Sequence, residues 1–362
     1  MSGPKLRPGI LEIMPYVGGK SQLPGKQGVI KLSSNEGALG PSPRAVEAYR
    51  KVAADLHRYP DGGSTALRKA IGARFELDPE RVVCGNGSDD LLALLARAYA
   101  GPEDEILYSE HGFLLFPILA HSVGATPVAV PERDLTADVD AFLAHVTPRT
   151  RMVFLANPNN PTGSYLNGQA LQHLREALPP EVLLVIDSAY AEFVTAPDYS
   201  AGVDLVDAGG NVVMTRTFSK IFALSALRIG WAYCPPAIAD VLNRLRLPFN
   251  VTGPAQAAGV AALEDVAFFD QAKAHNTKWL AWFSEELQKI GLRVYPSSAN
   301  FLLVRFPDEP SRNADSANRF LNERGIIPRK LASYGLSDCL RITIGKETEL
   351  RAVVKALADF MG

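Results

Sequence analysis

With 362 residues the chain is too long for one simple core, so two domains are expected. Its 47% hydrophobic and 21% charged residues are those of an ordinary globular protein, and a net charge of -2 argues against nucleic acid or another polyanion as the main ligand. Three cysteines, Cys84, Cys234 and Cys339, stand at no metal-ligand spacing and in odd number, which argues against a disulfide framework and suits a reducing cytoplasm.

In chain order, the first 40 residues are rich in Gly and Pro and read as an arm that packs with the small domain. Residues 41–253 read as a large domain, where short apolar, β-branched runs alternate with helical patterns. Strands are expected at 81–84, 105–108, 126–130, 151–155, 182–186, 211–215 and 229–233, and helices at 89–100, 113–121, 168–178 and 237–245. The runs are apolar on both parities, which implies burial on both faces. The expected fold is therefore α/β, a mostly parallel seven-stranded sheet with helices on both faces. Residues 254–362 read as a smaller α+β domain. It opens with a long interdomain helix near 255–290, carrying Trp279 and Trp282 as packing residues. Strand-like segments at 299–305 and 340–344 and a closing helix from Lys346 follow. No stretch approaches a membrane span, the N-terminal residues hold no apolar signal core, and the six histidines lack paired ligand spacing, so neither membrane, nor export, nor metal is expected.

The informative polar residues fall just past the carboxyl ends of the expected strands, the edge where open α/β sheets bind ligands. After 81–84 comes Gly85-Asn-Gly-Ser-Asp-Asp90. It is either a turn with Ser88 capping the next helix or a helix N-terminus whose free amides take a phosphate; Asp90 stands where a dinucleotide fingerprint would have its third glycine. After 151–155, Asn157-Pro-Asn-Asn-Pro-Thr-Gly163 is dense in turn formers and can fix an asparagine amide that donates to a phenolate oxygen. Asp187 ends a run of five apolar residues and needs a partner; a ring-nitrogen cation would serve. Lys220 is flanked by Phe218, Ile221 and Phe222, the dry surroundings a Schiff-base lysine needs, with Ser219 and Arg228 beside it as phosphate donors. That combination suggests a lysine aldimine with pyridoxal phosphate.

Together these segments, in this order and over nearly the whole chain, resemble the fold-type I pyridoxal phosphate aminotransferases, and within them the histidinol-phosphate aminotransferases. Supporting segments are Ile13-Met-Pro-Tyr-Val-Gly-Gly-Lys20, Lys31-Leu-Ser-Ser-Asn-Glu36, Arg58-Tyr-Pro-Asp61 and Leu340-Arg-Ile-Thr-Ile-Gly345. The resemblance implies that Lys220 binds the cofactor, Asp187 pairs with its ring nitrogen, and Asn157 and Tyr190 bond its 3′-oxygen. It implies that Ser88, Asp89, Thr217, Ser219 and Arg228 hold the phosphate and that Phe113 stacks on the ring. Tyr59 matches a tyrosine lent to the partner subunit's phosphate, implying a homodimer. Arg341 matches the arginine that grips an anionic group, and Tyr16, Asn86 and Arg329 match positions lining the substrate pocket. The implied reaction is a ping-pong transfer from histidinol phosphate to 2-oxoglutarate. An aromatic amino-acid aminotransferase and a threonine-phosphate decarboxylase-like lyase share the cofactor residues and remain open. Ser188, Gly37-Ala38 and Phe113, in the setting His111-Gly-Phe-Leu-Leu-Phe116, depart from the family pattern.

Overall fold

The computed structural model describes residues 3–362, leaving the first two residues of the arm outside. Seven strands form the main sheet: Val82–Gly85 (β1), Glu105–Ser109 (β2), Thr126–Val130 (β3), Thr150–Ala156 (β4), Leu183–Asp187 (β5), Val212–Thr217 (β6) and Gly230–Tyr233 (β7). Their order across the sheet is β1-β7-β6-β5-β4-β2-β3. Neighbours run parallel except β7, which is antiparallel to both β1 and β6. Alternate residues explain the burial of both faces. Leu184, Ile186, Val212 and Met214 pack on one side with Leu171 and Leu174 of helix Gly168–Ala177. Leu183, Val185, Val213, Met152 and Phe154 pack on the other with Leu91, Leu92 and Leu95 of helix Ser88–Tyr99.

A second sheet is wholly antiparallel: Arg293–Val294 (β8), Phe301–Arg305 (β9), Arg329–Lys330 (β10) and Cys339–Thr343 (β11), in the order β8-β9-β11-β10. Leu302, Val304, Leu340 and Ile342 form its core with Phe283, Leu321, Leu350 and Val353 from three helices; Trp279 is buried there and Trp282 packs against it. The arm joins this unit, Ile30–Lys31 pairing in parallel with Ile326–Ile327.

The long helix expected at 255–290 is two helices, Gly253–Glu264 and Val266–Lys289. Asp265 leaves helical geometry at φ -88°, ψ 66°, and its carboxylate accepts from Phe268 N–H, capping the second helix, and from Ser42 Oγ. Ala255, Ala258 and Ala262 belong to the core of the main sheet, whereas the second helix only touches that core with Phe269 and Ala272 and buries Trp279, Phe283 and Leu287 in the smaller one. Among the described residues no helix is long and apolar enough to cross a membrane.

Candidate active site

A cavity of about 420 Å³ opens at the carboxyl ends of β1, β2, β4, β5 and β6, with residues of the smaller sheet and the arm as its far wall. Lys220 and Asp187 meet there. Lys220 follows β6 by three residues, and its half-buried side chain has a weak contact with Ser34 O at 3.5 Å. Its Nζ stands 5.6 Å from the Tyr190 ring centroid. Burial, and then the Arg341 guanidinium, lower its pKa to about 8, against the pull of Asp89. Asp187 ends β5 with 5% exposure and accepts from Thr215 Oγ1 at 3.1 Å. Burial, and then the charge of Asp89, raise its pKa to about 7; Thr215 and Lys220 oppose the shift. Among the described residues no cation forms an ion pair with this carboxylate, which leaves a place for one in the cavity.

The predicted phosphate donors do gather. The chain turns from β1 through Gly87, at φ +89°, into helix Ser88–Tyr99, bringing the first helical amides beside the end of β6. Arg228, itself at φ +49°, donates to Ser219 Oγ at 3.3 Å and Asp89 Oδ2 at 3.2 Å. Thr217 Oγ1 bonds Ser219 Oγ at 3.0 Å and accepts from the Ser219 N–H at 3.1 Å. A Cβ on Gly87 would stand 2.6 Å from Arg228 Nη2, so glycine there lets the guanidinium close over the helix end. Helix-end amides, hydroxyls and a guanidinium all line this cavity, and these are the donor types that an anion needs.

Phe113 also lines the cavity. The helix expected at 113–121 starts only at Leu115, which leaves Phe113 in the preceding turn, edge-on to Tyr16 with ring centroids 6.2 Å apart. Tyr190 is buried, its hydroxyl accepting from Asn35 Nδ2 at 2.9 Å. Burial raises its pKa to about 12, against Arg341 and Asn35. Arg329 and Arg341, both buried, stand opposite one another on the antiparallel pair β10–β11. Arg341 donates to Ser33 O at 2.9 Å and to Asn160 Oδ1; Arg329 donates to Val17 O at 2.6 Å. Among the described residues neither has a carboxylate partner, and a polar atom of Arg341, Nε, is left without any. Burial, with Arg329 adding to it, lowers the Arg341 pKa.

Three predicted residues are not in the cavity lining. Asn157 is buried beside Asp187, its N–H donating to Asp187 O at 2.9 Å; its Oδ1 accepts from Leu166 N–H at 2.7 Å and its Nδ2 gives one of its two protons to Leu166 O at 3.0 Å. The asparagine of this loop that lines the cavity is Asn160, whose oxygen is held by Arg341 so that its NH₂ remains to donate. Asn86 has an exposed side chain outside the lining, only its backbone N–H being engaged, by Asp90. Tyr59 is 83% exposed and stacks on Phe249, with ring centroids 4.6 Å apart, away from its own chain's cavity. Besides Asn160, reasoning from the sequence missed Asn35, which sits at φ +55° and ties Tyr190 to Thr343. The only signal was an Asn in a polar run of the arm, with nothing to show which side chain it would meet.

Residues 27–357 match the family described as aminotransferase class I and II. Histidinol-phosphate aminotransferase of Paramagnetospirillum magneticum is 59% identical over 362 residues, covering all of both chains. That of Rhodospirillum centenum is 60% identical over 361 residues, covering 100% of this chain and 99% of the relative. Among solved structures, histidinol-phosphate aminotransferase from Sinorhizobium meliloti in complex with pyridoxal-5′-phosphate superposes with a TM-score of 0.89 at 27% identity, covering 97% of this chain and 96% of that one. The chain belongs to the class I and II aminotransferases and, among them, to the histidinol-phosphate aminotransferase family.

Proposed function

We propose that this protein transfers the amino group of histidinol phosphate to 2-oxoglutarate, giving imidazole acetol phosphate and glutamate, with pyridoxal phosphate as cofactor. The observation that carries the reading is one cavity holding an amine with a pKa near 8, a buried carboxylate lacking a cation, and a cradle for a dianion. These residues fit the cofactor. The amides of Ser88 and Asp89 with Thr217, Ser219 and Arg228 would hold its phosphate, Asp187 its ring nitrogen, and Phe113 one ring face. Tyr190 and Asn157, whose amide nitrogen keeps a second proton beside the one that Leu166 O takes, would bond the 3′-oxygen, with Asn160 next to them in the lining. When bound, pyridoxal phosphate supplies an electron sink for the carbanion left when a proton leaves the substrate α-carbon.

The chain's own part follows from its side chains. Lys220 would hold the cofactor through its amine and, when that amine is free, would serve as the base and then the acid that moves the substrate's α-proton. A lowered pKa keeps a useful fraction of the amine neutral for that purpose. Arg341 and Arg329 present guanidinium forks that bind a phosphate or a carboxylate bidentately, so one pocket can serve both substrates in turn. The full-length relatives support histidinol phosphate as the donor.

We propose further that two copies assemble, Tyr59 reaching the partner's phosphate cradle. Exposed Leu56, Tyr59, Leu247 and Phe249 offer apolar surface for a second copy to cover. We place the division between the two units at Asp265 rather than at 254, because helix Gly253–Glu264 belongs to the larger core. Three free, buried cysteines suit the cytoplasm.

The test is a donor panel with 2-oxoglutarate, run on the wild type and Lys220→Ala. Histidinol phosphate should give a higher kcat/KM than phenylalanine, and the variant should lose both turnover and the visible band of the bound cofactor. Retention of both by Lys220→Ala, or a preference for phenylalanine, sinks the assignment.

A further inference from the structure

Behind Phe113 lies an ion pair that no step above uses. The Glu132 side chain is 2% exposed, and its Oε2 stands 2.9 Å from His111 Nδ1. Its other oxygen accepts from Ser109 Oγ at 2.5 Å and from the His111 backbone N–H at 3.2 Å. A buried carboxylate persists only with such a set of donors. All three donors belong to one turn at the end of β2, residues 109–111. The turn is tight: Gly112 N–H closes on Ser109 O at 2.6 Å, and Phe113 follows immediately. On its other side the same turn meets the loop after β4, where Asn159 Nδ2 donates to His111 O at 3.3 Å and to Thr162 Oγ1 at 3.0 Å. The bond to Glu132 raises the His111 pKa against the opposing effect of burial, which favours the charged pair. One carboxylate thus anchors the turn that presents the Phe113 ring and, through Asn159, touches the loop that presents Asn160.

We propose that Glu132 and His111 are positioning residues, setting where the Phe113 ring meets the cofactor by fixing the 109–113 turn. The inference rests on reading the cavity as a pyridoxal phosphate site. Glu132 sits on a two-residue strand paired with Thr136–Ala137, outside the cavity lining, so its influence on the ring passes through this turn.

The experiment is a double-mutant cycle read as the dissociation constant of pyridoxal phosphate from the apo-protein, alongside the melting temperature. His111→Ala should weaken binding about tenfold, the size of one lost charge-assisted hydrogen bond. His111→Gln, whose amide can still donate to Glu132, should recover most of that loss. In a Phe113→Ala background the effect of His111→Ala should fall below about twofold, because the ring it positions is gone. An equal loss in both backgrounds overturns the proposal, as does a change confined to the melting temperature. If His111→Ala does not fold, Glu132→Gln, which keeps the side chain's size and one acceptor, is run through the same cycle with Phe113. A wild-type protein that fails to bind pyridoxal phosphate would instead overturn the reading of the cavity, which keeps the two failures apart.

Discussion

Asp187 is a buried carboxylate that holds its proton up to an unusually high pH unless a cation joins it. Its pKa of about 7 in the folded apo-protein compares with 3.8 for the free side chain. Between those values the folded state holds a proton that the unfolded chain has released. Stability must therefore fall as pH rises through this window and level off above it. About three pKa units correspond to a cost on the order of 4 kcal/mol. Asp187→Asn removes the titration. Its apo-protein should melt above the wild type near pH ~8 and close to it near pH ~4, while cofactor affinity drops; thermal melts at both pH values with a binding titration check this, and a lower melting temperature near the higher pH counts against it. Asp187 and Lys220 were legible in the sequence because a charge at the end of, or inside, an apolar run has few structural explanations. Which asparagine of the 157–163 loop faces the cavity was not. The choice is made by Leu166 and Arg341, nine and 181 residues away.

At the scale of elements, the close approach of β7 to helix Ser88–Tyr99 decides whether the anion cradle forms. Gly230 pairs with Gly85 on one side and Thr217 on the other. A Cβ there would overlap Ser88 N and stand 2.7 Å from the Gly87 carbonyl carbon. Gly230→Ala should push the helix N-terminus away from Arg228, costing about 1–3 kcal/mol of overpacking. Its cofactor dissociation constant should rise about tenfold, measured by titrating apo-protein; unchanged affinity would show that the amides do not bear on the ligand. All seven strands of the main sheet could be read from the chain: most are buried and leave continuous apolar runs, and the edge strand Thr126–Val130 is marked by its β-branched residues. The break at Asp265 could not. Glu264-Asp265-Val266 contains neither Gly nor Pro, and the kink depends partly on Ser42, 223 residues away.

For the whole molecule, the proposed sharing of Tyr59 makes a sharp prediction. Tyr59→Ala and Lys220→Ala spoil the same site from opposite chains. Mixed and allowed to exchange subunits, the two variants form heterodimers with one site carrying both lesions and one carrying neither. Activity should return to about a quarter of the wild-type level, because half the dimers regain one site of two. No recovery after exchange would place Tyr59 outside the neighbouring site. The paired arginines bear on the molecule as a whole in another way. Arg329 and Arg341 stand opposite one another on neighbouring strands, among the described residues with no carboxylate partner, and like charges so placed lower stability. An incoming anion would offset that repulsion and take up the Arg341 Nε that has no partner. Discrimination therefore begins before any ligand arrives: a neutral amine of the right shape leaves both buried guanidinium groups without the counter-charge that an anionic one brings.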